Sequence, residues 1–101
     1  NSQYIPKNYH SAHALFSVTL GSYKKREQLI RKLNENSIPN VVYYQYPIHL
    51  MKGFEYLGYK KGDFLISENL SQTIVSLPMH PYLLSLDIEE IVQAINKKEI
   101  E

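Results

Sequence analysis

Three tyrosines, Tyr43, Tyr44 and Tyr46, fall within four residues and lead directly into Pro47, Ile48 and His49. Each tyrosine offers an apolar ring face and a hydroxyl that both donates and accepts, and a histidine can hold a sugar hydroxyl or a phosphate. Grouped at a strand end beside a long loop, these residues suit a site for a polar small molecule. A competing reading is purely structural. Side chains alternate along a strand, so one of Tyr43 and Tyr44 would pack in the core while the other faces water. His80, held between Pro78 and Pro81, carries the same two readings: a site residue, or a turn histidine bonded to nearby backbone.

Other chemistry is thin. His10 and His13 are three apart but lie before or within a strand, where that spacing does not bring two rings together. A zinc site needs three or four ligands, so no metal site is expected. There is no GxSxG elbow, phosphate-cradling glycine loop or paired-carboxylate motif. Asp87, Glu89 and Glu90 fall on a C-terminal helix, where its dipole and solvent account for them. The absence of cysteine excludes disulfides and thiolate metal sites and fits a reducing cytoplasm.

The elements that must position these residues follow from pattern. Ala14–Leu20 is a short run of β-formers closed by Gly21 and predicts a buried strand. Ser22 is a suitable N-cap for a helix whose Leu29, Ile30 and Leu33 share one face, ending near Asn34–Asn36, with Asn36 suited to a left-handed cap. Val41–Tyr44 predicts a second strand, ended by Pro47, and residues 48–62 a long irregular stretch holding Gly53, Gly58 and Gly62. A short helix over 63–71, a strand over 73–77 and a rigid turn over 78–84 come next. A last helix follows, capped by Ser85, with Ile88, Ile91, Val92 and Ile95 as its apolar stripe, and a charged tail that frays after Lys97. The order predicts an α/β fold of α+β type: one domain with a small sheet of about three strands packed with helices.

At 101 residues the chain can bury only a modest core, which argues against a deep catalytic cavity walled by this chain alone. The 11 basic and 10 acidic side chains leave a net charge of +1, which gives no electrostatic case for nucleic acid or an anionic membrane. Lys24-Lys25-Arg26, Lys60-Lys61 and Lys97-Lys98 read as solvated helix faces or turns. No run approaches the roughly 20 apolar residues of a membrane span, and no signal peptide is visible. The chain opens on Asn1 rather than Met, as expected after processing or for a piece of a longer protein; loss of the initiator Met alone gives the same start.

Four ordered blocks carry a resemblance. Tyr43-Tyr44-Gln45-Tyr46-Pro47-Ile48-His49 resembles the "YP-x-P-[IL]-H" turn in the C-terminal domain of the DegT/DnrJ/EryC1/StrS aminotransferases. Leu57–Asp63 is similar to that family's glycine-bearing loop, Ser67–Ser71 to its "aE-x-l-a" helix, and Ser76–Pro81 to its "SLP-[LM]-HP" signature. Ser11–Phe16 and Arg26 also fit. The chain departs from the pattern at Gln45 and Leu65, where proline is usual, at Asn36, where glycine is usual, and at Tyr43, where many members carry histidine.

The resemblance implies a pyridoxal-phosphate (PLP) enzyme that aminates keto groups on nucleotide-linked sugars, typically with glutamate as donor. The setting it implies is cytoplasmic synthesis of surface polysaccharide or lipopolysaccharide sugars. Residues 1–101 then correspond to the C-terminal small domain of a fold-type I PLP-dependent transferase. The large N-terminal domain, with the cofactor and its Schiff-base lysine, is absent; none of the nine lysines matches that motif. By the same likeness Tyr43, Tyr44, His49 and, more weakly, His80 are candidates to line the nucleotide-sugar cleft. The parent is a homodimer, and this chain alone binds no cofactor and is inactive. The alternative is a stand-alone binding or dimerisation module, for example an RNA-binding α/β domain using exposed tyrosines.

Overall fold

The computed structural model describes residues 1–97. The elements run β1 (Phe16–Thr19), α1 (Tyr23–Glu35), two 3₁₀ turns (Ile48–Leu50 and Lys52–Leu57), α2 (Leu65–Thr73), β2 (Ile74–Leu77) and α3 (Ser85–Asn96). The charged tail beyond Lys97, including Lys98 of the last basic pair, lies outside the described residues.

β1 and β2 pair antiparallel, with Phe16 opposite Leu77 and Thr19 opposite Ile74. Each outer edge carries one isolated bridge, Ser2 to Val18 and Val41 to Ser76. The mixed α/β class is as expected, with the third strand reduced to that single contact at Val41. Its amide and carbonyl exchange bonds of 3.2 and 2.7 Å with Ser76, after which the chain turns at Tyr43–Tyr44 instead of running on. The run is bracketed by Pro39 and Pro47, and its partner β2 is only four residues long. β1 is also shorter than its apolar run suggests, because His13 adopts φ 46° just upstream.

α1 starts as its sequence dictates: the Ser22 hydroxyl accepts from Lys25 N–H at 3.2 Å. Its end differs by one residue. Asn36 keeps φ −98° and spends its side-chain amide on Lys32 O, while Ser37 takes the left-handed conformation at φ 55°. Arg26 is a correction to the reading of Lys24-Lys25-Arg26 as solvated. It is 3% exposed, its Nη1 donates to Ser71 O at 2.6 Å, and its guanidinium lies 5.0 Å from the Tyr23 ring centre. The carbonyls of the last helical turn need donors, and Arg26 supplies one to α2.

α3 also begins one residue away from expectation. Ser85 is the first helical residue, Leu84 is the cap, and Asp87 accepts from Leu84 N–H at 2.8 Å. Its buried stripe is rotated toward Ala94, with Ile91 and Ile95 packed on the core and Ile88 and Val92 about half exposed. The core itself is Leu29, Leu33, Ile38, Val75 and Ala94, where α1, β2 and α3 meet.

Candidate functional site

The long irregular segment is ordered by contacts rather than by regular structure. Pro47 opens the first 3₁₀ turn and places His49 in a buried position against α2. Phe64 packs edge-on against both His49 and Tyr59, with ring centres 4.9 Å apart in each case. Gly58, at φ 78°, closes the second 3₁₀ turn in a conformation that L side chains resist. Lys60 N–H is then taken by Asp63 at 2.7 Å, which turns the chain toward α2.

Glu68, in the first turn of α2, organises the end of this segment. Its two carboxylate oxygens accept from Gly62 N–H at 2.8 and 3.0 Å, and one also accepts from Phe64 N–H at 3.2 Å. Donation from Gly62 first, then from Phe64 and from the His49 side, holds the Glu68 carboxyl below the ordinary carboxylate range, against an opposing push from partial burial. His49 Nε2 lies 3.3 Å from Glu68 Oε2, off the line of a ring N–H bond, and has no hydrogen-bond partner among the described residues.

Beside this pair opens a pocket of about 370 Å³ lined by His49, Leu50, Met51, Lys52, Glu55 and Tyr59. Tyr43 lines a different hollow, of about 170 Å³, with Asn40, Pro78 and Met79 among its walls. Tyr44 touches Tyr43 edge-on at 5.5 Å and is 71% exposed. Neither tyrosine is buried, so the alternation argument that would put one of them in the core does not hold. His80 is exposed, and its Nδ1 accepts from Tyr82 N–H at 3.2 Å, the turn contact that its position between prolines allows. Within this chain the four candidates are therefore not gathered: Tyr43 and Tyr44 form one pair, next to the strand end that leads to His80, while His49 sits on the other pocket.

A cation, an acid and a phenol on the His49 pocket, Lys52, Glu55 and Tyr59, were not singled out as chemistry in the sequence; all three lie in the irregular stretch 48–62, and Tyr59 falls also in the Leu57–Asp63 block of resemblance. Glu68 had a visible cue, an acidic residue at a helix start before a buried partner. Among the described residues the buried charged and polar side chains are Arg26, His49, Ser71, Thr73 and Ser76, with no lysine among them. No group of three metal-ligating side chains occurs among the described residues, and no helix there is long and apolar enough to cross a membrane.

Comparisons with known proteins agree on one group. A "Pleiotropic regulatory protein" of Geobacillus stearothermophilus is 33% identical over 90 residues, 89% of this chain and 24% of that protein. A dTDP-3-amino-3,4,6-trideoxy-alpha-D-glucose transaminase of Micromonospora megalomicea subsp. nigra is 30% identical over 84 residues, 82% of this chain and 22% of that enzyme. The crystal structure of a DegT DnrJ EryC1 StrS aminotransferase from Brucella abortus superposes with a TM-score of 0.79 at 35% identity, covering 91% of this chain and 24% of that one. The chain thus spans about a quarter of the length of the proteins it matches. The sequence profile of the DegT/DnrJ/EryC1/StrS aminotransferase family matches residues 2–96, almost the full length, and the chain belongs to that family.

Proposed function

We propose that this chain is the C-terminal small domain of an aminotransferase that moves an amino group, typically from glutamate, to a keto sugar carried on a nucleotide. The observation that supports this most is the match over residues 2–96 to a family of PLP-dependent enzymes, in which relatives are about four times longer than the chain. The cofactor supplies the electron sink for transamination. It belongs, on this reading, to a large domain outside residues 1–101; the described residues offer no buried lysine to hold it. This chain's part is to wall the sugar cleft. Tyr43 and Tyr44 present ring faces and hydroxyls outward, His80 stands beside the same strand end, and His49 braces the neighbouring loop.

The size of the native protein tests this reading. An antibody raised against the chain should detect a species roughly four times its 11.8 kDa in extracts of the source cells, in proportion to the 24% of relatives that it spans. A species at 11.8 kDa, with a lysine that borohydride fixes stoichiometrically to added PLP, would overturn it. In the full-length enzyme Tyr43→Ala should raise KM for the nucleotide sugar about tenfold, as loss of one or two polar contacts would. KM for the amino donor should not change; equal effects on both substrates would remove Tyr43 from the cleft.

A further inference from the structure

We propose that His49 and Glu68 form a proton-operated latch that fastens residues 48–64 to α2, tightest in mildly acidic solution. The pair joins two parts of the fold far apart in sequence. His49 sits in the first 3₁₀ turn, and its ring is packed on Phe64, which in turn meets Tyr59. Glu68 sits on α2 and grips the far end of the same segment through Gly62 and Phe64 N–H. One carboxylate thus faces both ends of a 17-residue stretch (48 to 64) that walls the Lys52–Glu55–Tyr59 pocket.

The imidazole decides how firmly the near end is held. With its proton on Nδ1 only, Nε2 turns a lone pair toward the carboxylate, which repels it. With the proton on Nε2, the ring offers a donor. With both nitrogens protonated it also carries a positive charge 3.3 Å from Glu68 Oε2, where His49 is 8% exposed and solvent screens little. The other ionisable groups nearby are Lys52, Glu55 and Tyr59 on the pocket wall and Asp63, which is taken by Lys60 N–H. Arg26 meets α2 one turn further on, at Ser71 O, and pairs with Glu27 rather than Glu68.

Two protonation states therefore bound the latch. With the imidazole protonated, a positive charge faces the carboxylate and the contact strengthens. Glu68 is held below its ordinary value, first by Gly62 N–H, so it keeps its charge in more acidic solution than an ordinary carboxylate; once it is protonated, the ion pair and the charge on its backbone bonds are lost together. The segment is most ordered while Glu68 is ionised and His49 is protonated.

The latch is independent of the activity proposed above, since it is read from backbone amides of the full chain. Hydrogen exchange followed by NMR from pH 4 to 8, corrected for intrinsic rates, should show protection at Gly62 and Phe64 roughly two- to fivefold higher at pH 5.5 than at pH 8, the scale of a single modest ion pair. Protection at Leu33 and Val75 should stay level across that range. The rise should vanish in His49→Gln and in Glu68→Gln. A flat profile in the wild-type chain, or a rise that persists in either variant, overturns the latch. If His49→Gln loses protection at Val75 as well, that variant reports unfolding, and the wild-type profile together with Glu68→Gln decides.

Discussion

Arg26 shows how much one buried cation can organise. Its side chain crosses from α1 to the last turn of α2, donates to Ser71 O and covers the Tyr23 ring. Arg26→Met keeps the length and apolar stem but leaves that carbonyl without its donor. Loss of a charge-assisted bond costs about 1.5–3 kcal/mol. Urea unfolding should therefore show a lower midpoint with an unchanged slope; an unchanged midpoint would mean that water replaces the guanidinium. The sequence could not place this residue, because a cation in a Lys-Lys-Arg run looks solvated until its distant acceptor is known. Glu68 is legible as an acid at a helix start, but its partners Gly62, Phe64 and His49 lie on another segment and are not. Tyr43 and Tyr44 were legible as exposed aromatics beside a loop, but where their neighbours sit depends on β2 and the 78–80 turn.

At the scale of elements, local signals were reliable and non-local ones were not. α1 appears where its cap and its apolar face put it, because both act within a few residues. Leu33 is the centre of that face and is fully buried. Leu33→Ala should cost about 2–5 kcal/mol as a cavity opens between α1, β2 and α3. Leu57→Ala, at a half-exposed site, should move stability by only about 0.5 kcal/mol or less. Thermal or urea melts of the two variants check the contrast, and comparable losses would show that the core is not where the packing puts it. The run at 41–44 reads as a strand by composition, yet strand length is set by a partner, and β2 gives it a single bridge. α3 was found, but its inward face could not be fixed: Ile88 and Val92 belong to the stripe by spacing and still face outward, because the core meets the helix at Ala94.

The whole molecule is a thin body, 48 × 43 × 23 Å, with a radius of gyration of 15.9 Å where a compact chain of this length has about 13 Å. Its thinness follows from the sheet: two full strands cover little area, and one helical layer suffices to bury it. The cost is apolar surface left in contact with water. Leu65, Ile66, Tyr44 and Leu86 are each about two-thirds exposed or more. Composition had put the chain in the globular class and limited its core, which is the extent of what it could say about shape. The chain spans about a quarter of the length of the relatives it matches.

Gly58 has a use unrelated to any of these roles. Its backbone is left-handed, at φ 78° and ψ 8°, and a Cβ built there would meet no atom within 4 Å apart from the two adjoining residues. Crowding of that first side-chain atom by the rest of the fold is thus removed from the comparison, and the backbone preference of the substituted residue dominates it. A substitution series at this one position would rank amino acids by their intrinsic tolerance of that conformation, which makes the turn a natural host site for calibrating it.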